Sequence, residues 1–127
     1  MRAVIGTLLV AVSLQCHAKC ADVKTSITGR VEGSAHSPIA GALIVVSFVD
    51  YKTARSAIGY SNRAGEFNLT FHWNPLSGEG LRGDLCEGKL DFVTVQAFAR
   101  GFRHSEDSVR MDDLKGHTLF QLERVTK

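Results

Sequence analysis

Side chains in this chain change character on every second residue, and that period of two limits the fold more than any other feature. Val23, Thr25, Ile27, Gly29 and Val31 alternate with Lys24, Ser26, Thr28, Arg30 and Glu32. Successive side chains of an extended strand point to opposite faces, so this is a strand with one face buried. Phe67, Leu69 and Phe71 alternate with Glu66, Asn68 and Thr70, and Val93, Val95, Ala97 and Ala99 with Thr94, Gln96 and Arg100. Residues 42–49 are apolar almost throughout and rich in β-branched types, which places them at a sheet centre with neighbours on both sides. Residues 54–61 read as a further strand, the polar residues 104–111 as an edge strand, and 118–124 as a closing strand that buries Phe120 and Leu122.

Turn chemistry separates these runs. Residues 33–41 contain Ser34, Ser37 and Pro38 between glycines, Asn62 to Gly65 makes a tight connection, and residues 112–116 turn again. Residues 72–90 carry Pro75 and four glycines, Gly78, Gly80, Gly83 and Gly88, without any apolar period, and read as a long loop. Seven short strands and no helical period after residue 18 predict an all-β, antiparallel sandwich. Parallel pairing is not expected, because no segment provides a crossover helix.

The first eighteen residues are of another kind: Arg2 precedes an uncharged apolar run from Ala3 to Leu14, with small residues at Cys16 and Ala18. That is the pattern of a signal peptide cleaved after Ala18, and the run falls short of the about twenty apolar residues a membrane span needs. A lipoprotein signal centred on Cys16 is the alternative, although Gln15 stands where a small residue is wanted. The expected organisation is a signal peptide, 1–18, and one mature domain, 19–127, secreted or periplasmic, with no transmembrane span once the signal is removed. Of three cysteines, cleavage would leave Cys20 and Cys86 in an oxidising compartment, where pairing is favoured. A bridge closing so long a loop adds about 4 kcal/mol in chain-entropy terms. Two free thiols in a reducing compartment remain the alternative. A formal charge of +2, with Lys and Arg interleaved among acids, provides no basic field for nucleic acid.

The order of three segments is familiar. Thr28-Gly29-Arg30-Val31, then Pro38-Ile39-Ala40-Gly41-Ala42-Leu43-Ile44-Val45, then Ser61-Asn62-Arg63-Ala64-Gly65-Glu66-Phe67 resemble the carboxypeptidase regulatory-like domains, with their G-x-V strand, P-I-x-G-A-x-V strand and T-D-x-x-G-x-F turn. Val93 to Ala97 with Gly101-Phe102 resembles that family's V-x-V-x-A strand and Gly-Tyr, and Phe120 to Leu122 its last strand. Ser61 and Asn62 stand where Thr and Asp are usual, and 72–90 is longer than the family's connection. The resemblance implies a prealbumin-like, seven-stranded Greek-key sandwich. It also implies a non-catalytic module of a secreted or surface protein, since the shared residues are scaffold residues.

No catalytic, cofactor or metal constellation is expected. The chain ends Arg124-Val125-Thr126-Lys127, unlike the Tyr-Arg-Gly-Ser tail of hydroxyisourate hydrolases. Tyr51, Tyr60, His72 and His104 match the inventory of an intradiol dioxygenase iron site but not a recognisable spacing. Ser105, His104 and Asp107 lack a nucleophile elbow, and strand neighbours point apart. Asp112 and Asp113 read as turn residues. The function expected is binding or assembly with another exported protein through loops or an edge strand, with His72 and Trp73 as contact candidates. A carbohydrate-binding module using Trp73, Tyr51 and Tyr60 is the alternative, and a small exported inhibitor or immunity-type protein inserting residues 72–90 is another.

Overall fold

The computed structural model describes residues 20–80 and 83–125, so the expected signal peptide lies outside the described residues. Among the described residues nine strands occur in chain order: β1 (Val23–Glu32), β2 (Leu43–Asp50), β3 (Thr53–Tyr60), β4 (Glu66–Trp73), β5 (Gly78–Gly80), β6 (Gly83–Leu85), β7 (Phe92–Phe98), β8 (Ser105–Arg110) and β9 (Lys115–Gln121). Seven build two facing sheets, of order β4-β1-β9 and β3-β2-β7-β8. Among the described residues no helix is long and apolar enough to cross a membrane.

The alternating residues form the core as expected. Ile27, Val31, Phe67, Leu69, Phe71, Phe120 and Leu122 from one sheet meet Ala42, Ile44, Val46, Phe48, Val93, Val95, Ala97 and Val109 from the other. Phe48 and Phe71 stack across the gap with ring centroids 4.7 Å apart. Thr118 of β9 donates through Oγ1 to Asp107 Oδ2 of β8 at 2.7 Å, tying the sheets at one corner. β8 is an edge strand, as its polar sequence implied.

Two expectations need correction. β1 and β9 pair in parallel, Ser26 opposite Lys115 through Glu32 opposite Gln121, so the sandwich is not wholly antiparallel. A crossover helix is needed only when a short segment must cover one sheet face; here the connection is the whole intervening chain, which builds the other sheet. Residues 72–90 are also not a bare loop. His72 and Trp73 complete β4, and β5 and β6 form a small antiparallel ribbon held at its base by Ser77 N–H to Leu85 O, 2.7 Å. Cys20 and Cys86 are joined in a disulfide, Cα to Cα 5.5 Å, which fastens the start of β1 to the segment after the ribbon. Asp50, buried at the end of β2, accepts from Arg55 Nη1 at 3.0 Å and from Asn74 N–H at 2.8 Å, securing the other end of that segment.

The three motif segments converge at one end of the sandwich. Val31 N–H donates to Gly65 O at 2.7 Å, and Ile39 N–H donates to Val31 O at 3.0 Å. Ser61 Oγ donates to Ile39 O at 2.6 Å and accepts from Ala42 N–H at 2.9 Å. Asn62 Oδ1 accepts from the N–H groups of Ala64 and Glu66, both at 2.9 Å, closing the turn from within. Gly65, at φ +73°, lies so close that a Cβ would run into the Val31 carbonyl oxygen and the Pro38 ring. Gly41 has nearly the same backbone, φ +72°, with open space where a Cβ would be.

This contrast predicts two different costs. Gly41→Ala should lose about 1–2 kcal/mol in urea unfolding, the penalty of a left-handed residue with a Cβ. Gly65→Ala should lose clearly more, above about 3 kcal/mol, because the close approach is added to the backbone penalty. Equal losses at the two positions would show that Gly65 is needed only for its dihedral.

Candidate interaction surface

The outward faces of the two sheets differ in chemistry. On the three-stranded sheet, Lys24 lies opposite His72, Ser26 opposite Thr70, Thr28 opposite Asn68, and Arg30 opposite Glu66. β9 adds His117, whose Nδ1 lies 3.1 Å from Thr28 Oγ1, and one exposed apolar residue, Leu119. This face is a solvated polar layer.

The four-stranded sheet turns the other way. β2 is apolar on both sides: Ile44 and Val46 enter the core, while Leu43 and Val45 face outward. Leu43 is flanked by Tyr60 on β3 and Phe98 on β7; Val45 is flanked by Ile58 and Gln96. Tyr60 is 65% exposed and Ile58 63%, so the row is uncovered. His104 stacks on Phe98 with ring centroids 5.3 Å apart and extends the aromatic end. The row is contiguous across three strands, unlike the singly scattered apolar residues of an ordinary surface.

The residues singled out from sequence are dispersed. Tyr60 belongs to this patch. Tyr51 sits in the two-residue turn between β2 and β3, at φ +39° with Lys52 at φ +65°, as a tight hairpin of right-handed twist requires. His72 is exposed on the polar sheet. Trp73 is not a surface residue: it is buried in the core and its Nε1 donates to the buried Thr25 Oγ1 at 2.8 Å. It continues the inward series Phe67, Leu69, Phe71, and its ring is unavailable to a partner or a sugar. The hairpin separates Tyr51 from Tyr60 by the eight residues of β3, about 25 Å, so the tyrosine and histidine inventory is not gathered at one place. Among the described residues no group of three or more His, Cys, Asp or Glu side chains is placed to share a metal ion.

Sequence reasoning missed Leu43, Val45, Ile58, Phe98 and His104 as a group. The available signal was β2 itself, since four consecutive apolar residues, Leu43 to Val46, mean an apolar outer face as well as an inner one.

It also missed a second cluster. Glu32 ends β1 on the outward side yet is buried, because the short 3-10 turn Ser34–His36 folds over it. Its carboxylate accepts from His36 Nδ1 at 2.8 Å and from Gln121 Nε2 at 3.2 Å, with Arg30 Nε 3.4 Å away. The His36 and Gln121 donors hold its pKa below the ordinary 4.5, against a smaller opposing effect of burial. Ala35 and His36 both have positive φ, 53° and 57°, so the turn is kept in a costly conformation over Glu32.

No protein-family model matches the chain, and no curated protein does. Solved structures share the fold. The catechol 1,2-dioxygenase of Pseudomonas arvilla C-1 superposes with a TM-score of 0.59 at 12% identity, covering 87% of this chain and 55% of that one. The 3-chlorocatechol 1,2-dioxygenase of Rhodococcus opacus 1CP gives 0.58 at 10% identity, covering 85% and 62%. The dioxygenase domain of a dioxygenase carbohydrate-binding protein fusion from Streptomyces sp. SirexAA-E gives 0.52 at 18% identity, covering 85% and 84%. The chain thus spans less than two thirds of the first two, and at these identities the likeness is one of β-sandwich architecture.

Glu32 makes stability depend on acid. A carboxylate whose folded pKa is lowered contributes stability above its unfolded pKa and loses it as pH falls through the folded value. The thermal midpoint of the wild type should therefore exceed that of Glu32→Gln at neutral pH, and the gap should close as pH falls below 4.5. A gap that stays constant through the acid range would contradict the ionised role of Glu32.

Proposed function

We propose that the chain is an exported, non-enzymatic β-sandwich module, of the carboxypeptidase regulatory-like kind, that binds another protein in the cell envelope or outside the cell. The observation that carries this reading is the uncovered row Tyr60, Leu43 and Phe98, with Ile58 and Val45 beside it, on an otherwise well-packed domain. A flat sheet face rich in aromatic and aliphatic side chains suits a protein surface, where large rigid groups contribute contact area at low entropic cost. Export is supported by the Cys20–Cys86 bridge, which oxidising compartments favour, and by the leader-like first eighteen residues. The convergence of the three motif segments at Val31, Ser61 and Gly65 supports the family reading, because it gives each shared residue a structural task.

The test uses Val45→Thr combined with Phe98→Ser, two outward changes that leave the core and the β3 edge untouched. The immobilised wild-type domain and the variant are each exposed to the exported protein fraction. The variant should stay within about 1 kcal/mol of the wild type in stability, as outward substitutions do, yet lose a species that the wild type retains. Identical retention by both, or retention by neither, would overturn the reading of this face.

A further inference from the structure

The four-stranded sheet has two edges, and they are built differently. β8 carries Glu106, Asp107 and Arg110 within six residues, the charged composition that keeps an edge from pairing with another chain. β3, of sequence Thr-Ala-Arg-Ser-Ala-Ile-Gly-Tyr, has no proline and a single charge. That charge is already engaged within its own chain: Arg55 pairs with Asp50 at 3.0 Å and lies over the Phe48 ring, 5.9 Å from its centroid.

The open side of β3 has a definite hydrogen-bonding phase. Ser61 N–H donates to Ala42 O, and Ser61 O accepts from Gly41 N–H, so Ser61 is bonded toward β2. In an antiparallel ladder alternate residues bond to the same neighbour. Gly59, Ala57, Arg55 and Thr53 therefore bond toward β2, while Tyr60, Ile58, Ser56 and Ala54 turn their N–H and C=O groups to the open side.

We propose that a second copy of this chain occupies that edge, β3 against β3 in antiparallel fashion, joining two four-stranded sheets into one of eight. The proposal rests on reading this domain as a protein-binding module and adds to it a second contact, at the sheet edge and not at the outward face. With Ala57 opposite its own counterpart, the whole strand is in register and every free amide finds a partner. Ser56 then faces Ile58 of the second copy, and Ala54 faces Tyr60 of the second copy, so each large side chain meets a small one. Arg55 faces Gly59 of the second copy, so like charges are never opposed and the guanidinium keeps its room. The same operation places the two outward apolar patches side by side on one continuous face.

Sedimentation equilibrium of the mature, disulfide-intact protein tests this across the micromolar range. The wild type should be a dimer whose dissociation constant rises at least about tenfold in Ile58→Lys, which sets a cation at the edge, and in Ser56→Pro, which removes an N–H that β2 does not use. The circular dichroism of Ile58→Lys should match that of the wild type, which keeps the test valid if the proline variant folds poorly. Ala57→Cys should cross-link to a covalent dimer on mild oxidation and Ser56→Cys should not, because residues opposite themselves in a non-hydrogen-bonded pair lie about 4.5 Å apart at Cα. A wild type that is monomeric throughout, or a dimer indifferent to both edge substitutions, overturns the proposal. Loss of capture by Val45→Thr with Phe98→Ser is read independently, so failure of self-pairing and failure of the outward face are told apart.

Discussion

Val31 stands where three separate stretches of the chain have to meet, and its two backbone groups are both committed to holding them. Its N–H reaches Gly65 at the β3–β4 turn, its carbonyl holds Ile39 before β2, and its side chain is fully buried between the sheets. Ser61 completes the joint by donating to Ile39 and accepting from Ala42 through one hydroxyl. Val31, Ala42, Ser61 and Gly65 are buried and Ile39 half-buried, so a bond left unmade among the buried groups would carry the cost of an unpaired polar group, about 1–3 kcal/mol. The joint fixes how the β2–β3 hairpin lies over β1 and β4, and with it which face of β2 enters the core.

That orientation gives the molecule its two unlike surfaces. β2 is apolar on both sides, so pressing Ile44 and Val46 inward leaves Leu43 and Val45 outward, in line with Tyr60, Ile58 and Phe98. β1 and β4 alternate strictly, so the opposite sheet shows water only polar groups, Leu119 of β9 apart. At the far end of the sandwich a different set of restraints operates. The disulfide holds residue 86 to the base of β1, and Asp50 holds residue 74 to the end of β2, so the ribbon-bearing segment between them is fixed at both ends.

Local pattern carried much of this. The inward series of β1, β4 and β7 and the pair Phe120 and Leu122 could be read from alternation, because side-chain direction in a strand depends on nothing further away than the next residue. Pairing between strands distant in sequence could not. The parallel register of β1 with β9 depends on a closure across nearly the whole domain, and no local signal encodes it. Pro75 and the glycines that follow give Trp73 the sequence setting of a loop, yet its period continues Phe71 and its indole N–H finds Thr25. Glu32 looked like an outward strand residue; only the 3-10 turn folding back over it makes it a buried carboxylate. The outward apolar row was half visible, in Tyr60 and in the apolar run from Leu43 to Val46, and its other members come together only through sheet order.

If the joint at Val31 is what sets the hairpin over the β1 sheet, its amides should open only when the whole domain opens. Native-state hydrogen exchange measures this directly. The N–H groups of Val31, Ile39 and Ser61 should exchange with a free energy equal to that of global unfolding, while those of Ser77 and Gly88 in the ribbon-bearing segment should exchange by smaller local openings. Val31, Ile39 and Ser61 exchanging as readily as Ser77 and Gly88 would contradict the account, because the three segments would then part without the sandwich coming undone.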